Sequence, residues 1–237
     1  HCNCNQAAFG AFSLEFAENI GGGRRMNDYK TVLKAAKSEM IERKSRFIGY
    51  CAPVKNEDEA IAFINEVRAA NREASHNVYA YVVRENNIMR YSDDGEPAGT
   101  AGVPVLEVIR KGGLTDICVV VTRYFGGVLL GAGGLVRAYG KGAKIGIDAA
   151  QRVNMLSCTT YRVVCDYTTY GKVEYAVNNG GFISGETLFE GDVKMNISVR
   201  TGDENRFEKM IADISRGSAV CEKTGEEFTA VPYENEE

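Results

Sequence analysis

The sequence predicts an α+β protein of two domains. Three observations carry that reading. Strand-like apolar runs alternate with stretches of helical periodicity through the body of the chain. A glycine-rich segment, Thr122 to Gly140, follows the unbroken apolar run Ile117–Val121 and leads into a long helical pattern. Beyond residue 157 the pattern becomes strand, helix, two strands around a tight turn, helix, strand. A chain of 237 residues is long enough for one or two cored domains. The expected division is an N-terminal extension over 1–25, a first domain over 26–151, a linker over 152–157 and a second domain over 158–237.

Taken in order, Gly21-Gly-Gly-Arg-Arg25 stands directly before Met26. Purine-rich codons resembling a bacterial ribosome-binding site can encode it. Residues 1–25 are therefore expected to be a non-native read-through upstream of a start at Met26, or else a disordered tail. Glu39–Val54 reads as a strand pair or a bent strand. Asn56–Asn71 reads as a helix: Asn56 suits the N-cap, the acids at 57–59 suit the positive helix end, and Ile61, Phe63, Ile64 and Val67 share a face. Val78–Val83 and Ile88–Tyr91 read as a hairpin turning at Asn86-Asn87. Thr100–Lys111 is a helix with Pro104 in its first turn and Gly112-Gly113 as its stop. After the glycine-rich segment, Leu135, Ala138, Tyr139, Gly142, Ile145 and Ala149 recur at helical spacing.

In the second half, Thr159–Tyr167 alternates as a strand and Tyr170–Asn178 reads as a short helix. Phe182–Glu190 and Val193–Arg200 form a hairpin around Gly191-Asp192. Phe207, Met210, Ile211 and Ile214 mark a helix, and Glu226–Val231 a last strand. The order βαββαβ is that of a ferredoxin-like domain. The acidic end, Glu234–Glu237, is expected to fray.

Composition narrows the function classes. Hydrophobic content of 44% with 25% charged residues is that of a soluble globular chain, and no apolar run approaches the ~20 residues of a membrane helix. The seven cysteines are scattered without a Cys-x-x-Cys pair, which argues against a zinc knuckle and suits a reducing cytoplasm. Cys118 and Cys165 fall within apolar strand patterns and are expected to be buried. No metal or cofactor is expected. The net charge of −4 argues mildly against a nucleic-acid partner. Its distribution does not, because residues 26–151 carry a small excess of Lys and Arg and residues 152–237 an excess of acids.

The glycine-rich segment is the strongest functional signal. Gly126, Gly127, Gly131, Gly133 and Gly134 lie within nine residues, framed by Arg123 and Arg137. A buried strand, a glycine loop and a helix in that order bring backbone close to a ligand and point unpaired N–H groups at it. An anion site for phosphate is one reading, with Arg137 in the first turn of the helix. Tight turning and close helix–strand packing is the other. The familiar nucleotide motifs fail: Gly140-Lys141 is followed by Gly142 rather than Ser or Thr, and a dinucleotide pattern at 131 and 133 meets Val136. Tyr124 and Phe125 either stack on bases or fill the core. Lys44 and Arg46 are candidate cations near the site. His76, Asp93, Asp94 and Glu96 are weaker candidates for acid–base chemistry; turn formation and ion pairs to the arginines would equally explain the acids.

Four blocks make a resemblance: Thr122 to Gly140, Lys44-Ser-Arg-Phe-Ile48, Ala74-Ser-His-Asn-Val-Tyr-Ala80 and Ser92-Asp-Asp-Gly-Glu-Pro-Ala-Gly-Thr-Ala-Gly102. Together they resemble the IMPACT family, whose bacterial members include the YigZ-type proteins. The likeness is strong over residues 28–150. It implies a first domain with the ribosomal-protein-like βαβ fold of elongation factor G domain IV, and a second domain similar to domain V of that factor. It further implies a cytoplasmic, translation-linked regulatory protein whose partners are RNA or the ribosome, with a regulatory protein partner as a further option. Eukaryotic relatives use an extra N-terminal domain for their kinase-activator partner, and that partner role is not expected for this chain. A hydrolase acting on a phosphorylated or peptidic substrate, and a protein-interaction module, stand as alternatives.

Overall fold

The structure, a computed structural model, describes residues 27–233. Expectations for residues 1–25 and for the acidic end lie outside the described residues. The chain divides into two compact units, Tyr29–Asn154 and Met155–Val231. Among the described residues no helix is long and apolar enough to cross a membrane.

The first unit begins with the short β1 (Tyr29–Val32). It continues with β2 (Ala36–Glu42), β3 (Ser45–Pro53), α1 (Glu57–Ala70), β4 (His76–Val83), β5 (Ile88–Ser92), α2 (Gly102–Lys111), β6 (Ile117–Tyr124) and α3 (Ala132–Ala150). Five strands form one antiparallel sheet in the order β2-β3-β6-β4-β5. β3 and β4 both run antiparallel to β6 and hence parallel to each other. The crossover β3-α1-β4 is thus a βαβ unit with β6 inserted between its strands. The central β6 is covered on both faces, which explains its unbroken apolar run. On one side α1 packs Ala60, Phe63, Ile64 and Val67 against Ile48, Tyr50, Cys118 and Val120. On the other, α2 and α3 pack Val105, Ile109, Leu135, Tyr139 and Ile147 against Phe47, Val78, Val119 and Val121.

Local signals account for the helix ends. The Asn56 side chain accepts from the Glu59 N–H and three acids fill the first turn of α1. Ile61, expected on the buried face, is 45% exposed, and the small Ala60 takes the place against the sheet. In α3 the buried stripe is Leu135, Ala138, Tyr139, Gly142, Ala143, Gly146, Ile147 and Ala150. Ile145 and Ala149, expected in that stripe, are only half-buried. The reason is contact by small residues. A Cβ at Gly49 of β3 would overlap the Gly142 carbonyl, and a Cβ at Gly146 would lie 2.9 Å from the Gly49 backbone. The helix backbone therefore rests directly on the strand, and that close approach sets the rotation of α3.

The second unit contains β7 (Arg152–Cys165), α4 (Tyr167–Asn179), β8 (Ile183–Phe189), β9 (Val193–Arg200), α5 (Glu204–Ser215) and β10 (Val220–Pro232). β7 pairs antiparallel with β9, β8 pairs with β9, and β10 lies on the other side of β7. This is the expected ferredoxin-like βαββαβ order. Its core joins Tyr161, Met195 and Ile197 of the sheet to Val173 and Val177 of α4 and Phe207 and Ile211 of α5. Residues 152–157, expected as a linker, are instead the first part of β7, where Val153 and Met155 are buried between half-exposed neighbours. The joint between α3 and β7 is the single residue Gln151, at φ 62.

Two glycines separate contact from tolerance. Gly49→Ala should destabilise the protein by about 3 kcal/mol or more, because overpacking here strikes backbone rather than a movable side chain. Gly171→Ala, in open space on an exposed face of α4, should stabilise by about 0.5–1 kcal/mol. Urea unfolding of both variants checks the contrast.

Candidate anion-binding site

The end of β6 carries Arg123, whose register partners are Phe47 on β3 and His76 on β4. Directly paired residues share a face of the sheet, and Val119 and Val121 precede Arg123 on the buried α3 side. The arginine follows them inward, so its side chain is 6% exposed. Its Nη1 donates to Glu96 Oε1 at 2.6 Å, and Glu96 is itself 4% exposed. The same oxygen accepts from the Tyr139 hydroxyl of α3 at 2.7 Å. Burial and the hydrogen bond to Glu96 push the Tyr139 phenol far above its ordinary value, so it stays a donor. Arg123 Nη2 lies 3.5 Å from Ser45 Oγ, while its buried Nε has no hydrogen-bond partner. Arg123, expected to flank a ligand as a phosphate contact, is therefore held inside the fold as the partner of Glu96.

The acidic turn is committed in the same way. Asp93 accepts from the backbone N–H groups of Gly99, Ala101 and Gly102 at 2.8–3.1 Å, capping α2. Desolvation would raise its carboxyl, but these three donors together hold it below the ordinary 3.8. Asp94 accepts from Arg68 at 2.8 Å and from the Asn77 N–H at 2.6 Å. His76 Nδ1 lies 2.8 Å from the Asp94 carbonyl, which can only accept, so this nitrogen carries the proton and Nε2 faces Glu96 Oε1 at 3.7 Å. The four acid–base candidates do come together, but the Asp93 carboxylate serves α2, that of Asp94 serves Arg68 and the Asn77 N–H, and that of Glu96 serves Arg123 and Tyr139. Among the described residues no cluster of three His, Cys, Asp or Glu side chains offers a metal site.

The glycines of the loop divide by role. The Gly126 N–H bonds Ser45 Oγ at 3.3 Å, and a Cβ there would overlap the Lys44 carbonyl, so Gly126 is a packing glycine. Gly127 at φ 80 and Gly131 at φ 70 adopt the left-handed turn conformations that side chains resist. A Cβ at Gly133 would meet nothing within 4 Å, and one at Gly134 would meet only the Leu130 side chain. The first backbone bond of α3 runs from Leu135 N–H to the Gly131 carbonyl, and no side chain caps the helix. The N–H groups of Ala132, Gly133 and Gly134 thus stay open, among the described residues, at the positive end of a 19-residue helix.

Arg137 is exposed in that helix and lines a cleft of about 220 Å³ with Glu42, Arg43, Leu130, Gly134 and Lys141. Arg43 and Lys141 carry no signal in the sequence, since only the fold brings the β2–β3 turn to α3. The other expected residues lie elsewhere. Lys44 is exposed at φ 66 in the β2–β3 turn. Arg46 is paired with Glu39 at 2.6 Å and stands 5.7 Å from the Tyr124 ring, lining a different cleft of about 300 Å³ on the α1 side. The Tyr124 hydroxyl donates to Asn71. Phe125 is 48% exposed, its ring 5.4 Å from the Arg123 guanidinium.

The Impact N-terminal domain matches residues 43–147, the span that holds the buried network and every lining residue of this cleft but Glu42, and a domain of unknown function, DUF1949, matches residues 163–218. IMPACT family member YvyE of Bacillus subtilis is 40% identical over 195 residues, 82% of this chain and 90% of the relative. The chain belongs to the IMPACT family. YigZ of Escherichia coli, another IMPACT member, is 34% identical over 79% of this chain and 94% of its own length. The IMPACT homolog of Dictyostelium discoideum shares 39% identity over 39% of this chain and 28% of its own. A crystal structure titled as that of a hypothetical protein, 30% identical, aligns with a TM-score of 0.53 over 89% of this chain and all of that one.

Two outcomes test the buried network. Glu96→Ala strands the Arg123 charge in the core and should cost about 3–5 kcal/mol in chemical denaturation; a loss below about 1 kcal/mol would contradict the assignment. The folded-state value of Asp93 is depressed, so its stabilisation is full above about pH 4 and is lost as pH falls through the lowered value. Asp93→Asn should therefore be less stable than wild type at neutral pH, with the gap narrowing in acid.

Proposed function

We propose that this IMPACT-family protein is a cytoplasmic, translation-linked regulatory protein that holds RNA, free or within the ribosome, at the start of α3. The observation carrying this reading is the row of open amides at Ala132, Gly133 and Gly134 beside Arg137, which has no carboxylate partner among the described residues. A helix start of this kind stabilises negative oxygen, and a guanidinium adds bidentate donors for phosphate. The resemblance of the first domain to a translocation-factor domain supports a ribosomal setting by analogy of fold. The five described cysteines are free, four of them buried, which is compatible with a reducing compartment.

In this reading Arg123, Arg46 and Tyr124 make no phosphate contact, whereas Arg137 and the glycines at 133 and 134 do. Binding of a fluorescein-labelled RNA, read by anisotropy, should weaken about tenfold for Arg137→Ala at moderate salt. Its log–log salt slope should fall by about one. Equal affinity of an intact Arg137→Ala protein would remove the reading.

A further inference from the structure

The cleft beside the glycine loop says more about the ligand than its charge. Arg43 comes from the β2–β3 turn, and Arg137 and Lys141 lie one turn apart on α3. All three line one cavity of about 220 Å³, against the single carboxylate of Glu42, and among the described residues no ion pair engages any of the three. The glycine loop begins at Phe125 and reaches this cleft at Leu130, and Gly126, next to Phe125, packs directly on the backbone of Lys44, next to Arg43. Phe125 is 48% exposed in the loop. Its ring lies 5.4 Å from the guanidinium of Arg123, which Glu96 in turn holds from within. The ring is therefore braced by a buried cation while close to half of its surface remains open.

From this juxtaposition we infer that the partner at this site is single-stranded RNA, bound with its backbone along Arg43, Arg137 and Lys141 and one base stacked on Phe125. The inference rests on the polyanion reading above and narrows it. A groove of cations beside an aromatic platform is the arrangement that takes unpaired nucleotides, because an unstacked base has a free face to offer. A duplex keeps its bases stacked inside and its phosphates on a broad convex surface. It can offer phosphates to these cations but no base face to Phe125.

The test compares a labelled single-stranded RNA 12-mer with its own duplex, using the full chain and Phe125→Leu, Phe125→Tyr, an Arg43→Ala/Lys141→Ala double variant and Arg137→Ala. Circular dichroism checks that each variant is folded. The single strand should bind at least about tenfold more tightly than the duplex. Phe125→Leu should lose about fivefold or more for the single strand while Phe125→Tyr retains wild-type affinity, because only the first removes the ring on which a base stacks. The double variant should lose about tenfold and show a shallower salt dependence. Equal binding of duplex and single strand, or no loss in Phe125→Leu, would overturn the inference while leaving the polyanion reading intact, provided Arg137→Ala still weakens binding. Failure of both RNA forms to bind, or indifference to Arg137→Ala, would overturn both.

Discussion

The buried pair between Arg123 and Glu96 is the interaction on which the first unit depends. One carboxylate oxygen gathers the end of the central strand, the acidic turn and α3, through Arg123 and Tyr139. Desolvating two charges offsets much of their attraction, so the pair is poor evidence of added stability. Its consequence is geometric. Once it forms, Arg123 cannot reach outward, Ser45 is drawn beneath Gly126, and α3 has a fixed point of departure from the loop. The guanidinium that has the look of a ligand contact in the sequence instead aligns the segment that bears the open amides.

A second constraint is the near absence of side-chain bulk between α3 and β3. Gly49, Gly142 and Gly146 let backbone meet backbone, so the axis and rotation of the helix are set by contact. Its first turn is then presented to solvent with no capping group. The glycines of this region thus do two jobs that resemble each other in sequence. Those at 49, 126, 142 and 146 remove atoms from a packed interface. Those at 133 and 134 leave backbone accessible. Packing and ligand approach are alternatives for the segment as a whole, yet they apply to different residues within it.

Much of the fold was legible in the sequence. The Asn56 cap with its acidic first turn, the double-sided burial of Ile117–Val121 and the βαββαβ order all follow from local chemistry and periodicity. The departures have equally local causes. Hydrophobicity alone puts Ile61 and Ile145 on buried faces, whereas the tight faces of α1 and α3 select Ala and Gly. Residues 152–157 carry Asn and Ser but alternate in burial as a strand. The facing of Arg123 is implicit in the two-residue period that links it to Val119 and Val121. The glycines that follow it give the segment the look of a loop. Arg43 and Lys141 were beyond reach, because their meeting depends on the β2–β3 turn folding against a helix about ninety residues away in sequence.

The most direct measurement is an amide-resolved NMR titration of the full chain with a short single-stranded RNA. The largest early shifts should fall at the backbone N–H groups of Ala132, Gly133 and Gly134. Shifts that bypass those three amides would contradict the reading.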